Sequence, residues 1–294
     1  MPEGRRTAMI VVLILAWGST FAAVKVGLDH CPPLLFGGVR SVVGGLLVMA
    51  VAVRLGRPAR VRDHARWYAV LTLFNVIGMF GLQVLAIQEL PSGLAAVLIY
   101  LQPVLTGVLA GPLLGERVGR AAYLGLWLGF AGIVAVGVGA VDGHVSALGI
   151  GYALATALSW SLGTIAVKRA PVDLWWAVAL PFTLGGVVLC VVGPALEGAT
   201  IDWTPAFVAA LAYSTLIGTS LSWALWFLLI ATGEATRAAA VIFFVPLVSL
   251  VIGAVFLHET LHATLVVGAA LVVLGVWLVN RRPAVSTDEG RPTA

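Results

Sequence analysis

The sequence predicts an all-α integral membrane protein of ten transmembrane helices, built as two inverted five-helix repeats with both termini cytoplasmic. Three observations predict it. Hydrophobic residues make up 61% of the chain and charged residues 10%, and the mean hydropathy is +1.05, more apolar surface than a soluble domain of this length can hide. The apolar residues fall into ten runs long enough to cross a bilayer. The second half also repeats the first, because a constant offset of 143 residues superimposes Trp17 on Trp160, Ala23-Val24-Lys25 on Ala166-Val167-Lys168, Pro103 on Pro246, Glu116 on Glu259 and Gly132 on Gly275.

The first run, Ala8 to Gly27, follows Arg5 and Arg6 as a secretory leader would, but it is too long for a leader and belongs to the repeat, so it reads as a retained helix. Leu34 to Val53, Trp67 to Ile87, Ser92 to Leu114 and Ala121 to Val141 complete the first copy. Ser146 to Val167, Trp175 to Gly193, Ala206 to Ile230, Thr236 to Leu257 and Ala263 to Asn280 form the second. An odd number of spans per copy turns the second copy upside down in the membrane. The repeats thus occupy residues 1–141 and 142–280, and the polar, Pro-containing residues 281–294 are expected to be a disordered cytoplasmic tail.

Orientation follows from Lys and Arg, which stay cytoplasmic in short loops. Arg5, Arg6, Arg54, Arg57, Arg60, Arg62, Arg66, Arg117, Arg120, Lys168, Arg169, Arg237, Arg281, Arg282 and Arg291 all fall on one side, and only Lys25 and Arg40 do not. Asp29, Glu89, Asp142, Glu197, Asp202 and Glu259 mark the opposite face. The net charge of +4 is this pattern and implies no nucleic acid. Cys31 and Cys190 are too few for a disulfide framework and read as small apolar fillers.

Cargo in an inverted-repeat transporter is expected near the bilayer midplane, between the copies. The non-aliphatic residues at that depth are Trp17, Asn75, Gln83, Tyr100, Gln102, Trp160, Ser161, Thr219, Ser220 and Phe243. Their chemistry is aromatic and uncharged, which suits cargo with an apolar body and a few hydrogen-bonding groups. For the Ser, Thr, Asn and Gln residues the plain alternative is hydrogen bonding between helices. Trp17 and Trp160 lie too deep to be headgroup anchors. Arg40 is the one charge well inside a span, about 10 Å from its outer end. It either binds a substrate carboxylate or reaches outward to loop carbonyls, Asp29 or Glu89. Pro103 and Pro246 remove a helix hydrogen bond at mid-depth and are expected to kink the fourth and ninth spans, as gating joints or as static bends. Glu116 and Glu259, at the ends of those spans, are expected to complement the N-terminal dipole of the helix that follows. Gly125, Gly129, Gly132, Gly268 and Gly275 make small-residue faces for close helix packing.

Trp17-Gly18-Ser19-Thr20-Phe21 in the first helix, Arg40 in the second, and Pro103 followed thirteen residues later by the Glu of Gly115-Glu116 together resemble the drug/metabolite transporter superfamily, specifically its bacterial EamA-like exporters. Trp160, Pro246 and Glu259 extend the resemblance into the second half, so it covers nearly the whole chain. The second copy departs from it in having His258 before Glu259 and Thr183 at the position equivalent to Arg40. The resemblance implies export of small metabolites by alternating access and leaves the substrate open.

A membrane enzyme would need clustered carboxylates, a His-Glu-x-x-His run or a Ser with a base, and the acids here are scattered singly. No metal or cofactor is expected. Paired kinks within inverted repeats argue against a channel, and phosphorylated cargo would require several cavity cations where Arg40 stands alone. The expected partners are therefore membrane lipid and a small neutral or zwitterionic solute, amino acids foremost. Lipophilic cationic drugs and nucleobases are the rival cargoes. No Asp or Glu lies mid-span, so proton-coupled and uncoupled transport both remain open, as does the oligomeric state. Two lysines beside fifteen arginines point to a GC-rich bacterial genome and a plasma-membrane location.

Overall fold

Without water in the hydrocarbon core, a chain this apolar must pair its backbone groups internally, and helices are the local solution. The computed structural model describes residues 3–115, 120–141, 145–231, 244–260 and 262–280, and these residues are helical apart from the connections between helices. Glu116, Phe243 and residues 281–294 lie outside the described residues. In chain order the helices are α1 Glu3–Leu28, α2 Pro33–Arg54, α3 Ala65–Thr72, α4 Leu82–Glu89, α5 Ser92–Ile99, α6 Gln102–Leu114, α7 Arg120–Val141 and α8 Ala147–Arg169. There follow α9 Trp176–Glu197, α10 Pro205–Thr215, α11 Ser222–Ala231, α12 Phe244–Phe256 and α13 Ala263–Asn280. Wider π-helical turns, Leu73–Gly81 and Leu216–Leu221, join α3 to α4 and α10 to α11.

Among the described residues, seven stretches are long and apolar enough to cross a membrane: Thr7–Leu28, Pro33–Arg54, Ala65–Glu89, Ser92–Leu114, Ala147–Arg169, Trp176–Glu197 and Pro205–Trp226. The expected fifth, ninth and tenth spans coincide with shorter apolar stretches, Tyr123–Gly132, Phe244–Phe256 and Ala263–Leu278. The sequence offset of 143 carries over into the element bounds. It maps α2 onto α9 end to end, and it maps the start of one π-helical turn onto the start of the other.

Packing depends on glycines where helices cross. The two most extensive helix pairs are α2 with α9 and α7 with α13. A Cβ on Gly186 would sit 2.6 Å from the Val42 amide and 2.8 Å from the Gly38 carbonyl, so only glycine lets α9 approach the α2 backbone. In the other pair, a Cβ on Gly132 would lie 2.7 Å from the Gly268 carbonyl, and one on Gly275 2.6 Å from the Gly125 carbonyl. These last two contacts exchange under the offset, as two copies of one surface facing each other would require.

The fourth span breaks rather than bends. α5 ends at Ile99, Tyr100 and Leu101 form a turn, and Pro103 sits in the first turn of α6, where its missing N–H costs little. Pro246 lies on α12, and the residues that precede this helix are outside the described ones. Gly115 ends α6 at φ 70°, the left-handed conformation that glycine adopts freely.

Polar ties close one end of the bundle. The Lys25 ammonium donates to the carbonyls of Ile87, Gln88 and Leu90 at 2.7, 2.9 and 3.0 Å, capping α4. A Glu197 carboxylate oxygen accepts from the Leu34 amide at 2.9 Å at the start of α2, and Ser146 donates to Glu89 at 2.8 Å. Glu259 accepts from the Ser92 amide at 2.6 Å and the Gly93 amide at 3.3 Å. Glu259, expected to complement the helix that follows it, is seen to cap α5, from the other half of the chain, by accepting from its first amides. The Arg57 side chain lies 3.8 Å from Asp173, and the Trp176 indole donates to the Arg57 carbonyl at 2.8 Å, joining two basic loops.

Gly186→Leu overpacks the α2–α9 crossing and is expected to lower the melting temperature in detergent by roughly 3–10 °C. Gly151→Ala, on α8 with nothing within 4 Å of the added methyl, is expected to leave it unchanged or slightly raised. Glu259→Ala removes the cap of α5 and is expected to cost about 1–2 kcal/mol in the same assay, with Glu259→Gln retaining part of the loss.

Candidate functional site

One cavity lies among α1, α2, the two π-helical spans, the α5–α6 break and α8. Its walls are Trp17, Thr20, Phe21, Arg40, Met79, Phe80, Gln83, Tyr100, Trp160, Gly218 and Trp223. Each element has a local reason to deliver its residue there. The widened turns carry Met79 and Phe80 from one span and Gly218 from the other, and π-helical insertions characteristically redirect side chains at functional positions. The break before Pro103 places Tyr100 on the cavity wall.

The aromatic wall is built from two sets of touching rings. Tyr100 meets Trp160 edge-on with centroids 5.5 Å apart and Phe21 at 6.3 Å. Across the cavity Phe80 packs on Phe182 at 4.9 Å, Phe182 on Trp223 at 5.5 Å, and Trp223 on Trp17 at 6.0 Å. Such edge-on contacts hold rings at fixed angles and leave faces free to stack on cargo. Two pairs in this wall are equivalents under the offset, Trp17 with Trp160 and Phe80 with Trp223. The polar groups break that symmetry. Arg40 and Gln83 come from the first half, and their equivalents are Thr183, whose hydroxyl donates to the Ala179 carbonyl of its own helix, and Trp226.

Arg40 is 2% exposed. Its Nη2 donates to Gln83 Oε1 at 2.8 Å, and its guanidinium carbon lies 4.5 Å from the centre of the Phe80 ring. Asp29 and Glu89, the acids it was expected to reach if it pointed outward, are not among its contacts; Glu89 takes its hydrogen bond from Ser146.

The cavity volume is about 40 Å³. A cavity of roughly 150 Å³ holds a benzene, so this state admits a few waters and no metabolite. Cargo requires the walls to move apart. The Tyr100–Leu101 break and the two π-helical turns are the wall positions where regular helix hydrogen bonding is already interrupted.

The structure brings Trp17, Arg40, Gln83, Tyr100 and Trp160 together and directs the other described candidates elsewhere. Gln102 donates to Thr106 and Thr164 at 2.9 and 3.0 Å, and Ser161 donates to the carbonyls of Gln102 and Ala157 at 3.0 and 2.8 Å. Thr219 and Ser220 donate back to the carbonyls of Ser214 and Thr215 at 3.0 and 3.1 Å, partners five residues earlier that the π-helical turn exposes. Asn75 packs against Gly163, where any Cβ would strike its amide oxygen. Sequence reasoning missed Thr20, Phe21, Met79, Phe80, Gly218 and Trp223. Phe80 and Trp223 carried a readable signal, since both are aromatic at positions related by the offset.

Residues 7–138 and, separately, 147–281 match the EamA-like transporter family. The chain is 36% identical over 285 residues to "Uncharacterized transporter YvbV" of Bacillus subtilis (strain 168), covering 96% of this chain and 93% of that protein. It is 29% identical over 292 residues to a "Probable amino-acid metabolite efflux pump" of Salmonella typhimurium, covering 92% and 93% of the two chains. A solved crystal structure superposes with a TM-score of 0.67 over 94% of this chain and 96% of the other, at 21% identity, a likeness of fold alone. With both halves matched separately and relatives aligned along nearly the whole length, the chain belongs to the EamA-like transporter family and is a membrane transporter, not an enzyme.

Proposed function

We propose that this protein exports, or facilitates the passage of, small neutral or zwitterionic metabolites across a bacterial inner membrane, amino acids foremost. Transport proceeds by alternating access of the aromatic cavity, between two inverted five-helix repeats at residues 1–141 and 142–280, with both termini cytoplasmic. The observation that carries this reading is the cavity wall itself, in which Trp17 and Trp160, and Phe80 and Trp223, contribute equivalent rings from the two halves. Cargo held between equivalent walls can be offered to either side by rocking one repeat against the other. The Salmonella relative named as an amino-acid metabolite efflux pump supports the cargo class. Nucleobases are the rival cargo for an aromatic wall. Lipophilic cations fit less well, because the one charge on the wall among the described residues is the positive Arg40.

No Asp, Glu or His among the described residues lines the cavity, so the reading extends to uncoupled transport, with direction set by the cargo gradient. In proteoliposomes, counterflow of labelled aromatic and neutral amino acids is expected with or without an imposed pH gradient. Trp17→Ala combined with Trp160→Ala is expected to reduce it at least tenfold while the protein still melts cooperatively. Absence of amino-acid flux through folded wild-type protein would overturn the cargo class, and flux that vanishes without a pH gradient would overturn the uncoupled mechanism.

A further inference from the structure

Arg40 is the one cation among the described residues that is buried with donors left unpartnered. The hydrogen bond to Gln83 uses Nη2, while Nε and Nη1 have no partner among the described residues. Of the five N–H donors of a guanidinium, the one on Nε and the two on Nη1 have no hydrogen-bond partner among the described residues. Lys25 shows the contrast: half-buried near the closed end, it places its ammonium on three carbonyls. A cation sealed from water is stable only when an anion or a full set of acceptors faces it. Arg40 has neither, and it stands on the cavity wall. The Gln83 amide oxygen and the Phe80 ring hold its guanidinium in one orientation, as preorganised recognition requires.

We infer that Arg40 is the anchor for the carboxylate of the cargo, with Gln83 as its positioning residue and the aromatic wall holding the apolar body. This rests on the reading of the cavity as the cargo site; it narrows the recognised group to a carboxylate and extends the cargo to monocarboxylate anions. Guanidinium and carboxylate match in charge and in planar, multiple hydrogen-bonding geometry. Among the described residues the wall offers no carboxylate to an ammonium group. The site therefore reads the acid and not the amine: amino acids and their deaminated analogues are cargo, and amides or amines of the same size are not. Thr183 at the equivalent position leaves a single anchor, so one carboxylate is bound at a time.

The test is binding to the full chain in nanodiscs in a HEPES buffer free of chloride and of carboxylate salts, followed by tryptophan fluorescence, with L-phenylalanine, 3-phenylpropionate, L-phenylalaninamide and chloride as probes. Wild type is expected to bind the first two at least tenfold more tightly than the amide, with Arg40→Gln abolishing that preference and Arg40→Lys retaining part of it. Amide binding as tight as that of phenylalanine would overturn the anchor. So would chloride saturating the site with the three aromatic probes bound alike, which would make Arg40 an inorganic-anion site. In either case, loss of all aromatic binding in Trp17→Ala plus Trp160→Ala would leave the cavity reading standing. Failure of all three aromatic probes to bind folded wild type would overturn both readings. If Arg40→Gln does not fold, the wild-type ranking of acid against amide decides the matter alone.

Discussion

The absence of water in the bilayer core is the constraint on which the rest of this structure depends. Every buried donor and acceptor must find a partner within the protein, so the backbone is helical and the polar side chains turn inward on it. Ser41, Thr156, Ser161 and Thr183 each donate to a carbonyl four residues earlier. Where a span widens into π-helical turns, Thr219, Ser220 and Ser222 reach five residues back instead. Helix ends obey the same rule, with Glu259, Glu197 and Lys25 satisfying the first amides or last carbonyls of helices distant in sequence. Against that background the unpartnered donors of Arg40 are informative, because the same chain satisfies its other described mid-membrane polar groups almost completely.

Close backbone approach supplies the cohesion that hydrophobicity cannot, since lipid tails are as apolar as the helix faces. Gly38 and Gly186 bring α2 and α9 together, and Gly132, Gly268, Gly125 and Gly275 do the same for α7 and α13. The second set exchanges partners under the 143-residue offset. The first pair carries Arg40 on the helix that α9 clamps, so the rigidity of this crossing bears directly on how the guanidinium is presented. Duplication explains the symmetric rings of the cavity, and divergence between the copies explains its polarity. One copy carries a cation, Arg40, where the other carries a threonine, Thr183.

Much of the fold was legible because hydropathy and repetition are properties of the string itself. Run lengths located the spans, and the offset related α2 to α9 and both π-helical turns to each other. Less of the site was legible. Trp17, Arg40, Gln83, Tyr100 and Trp160 were found by depth, but depth says nothing of rotation about a helix axis. Gln102 and Ser161 lie at cavity depth yet turn into the interface between α6 and α8, while Phe80 and Trp223 turn into the cavity. The π-helical turns alter that rotation by inserting a residue, and no composition signal announces them.

By itself the sequence determined that this chain is a helical membrane protein made of two related halves and resembling the EamA-like transporters, because these follow from local apolarity, internal identity and short motifs. Only the tertiary structure decided which helix Glu259 caps, that the proline-bearing span breaks beside Tyr100, and that Arg40 is buried at the cavity wall with donors unpartnered among the described residues. Each of those depends on which groups from distant parts of the chain come within hydrogen-bonding distance. That proximity is a property of packing, and no single stretch of sequence contains it.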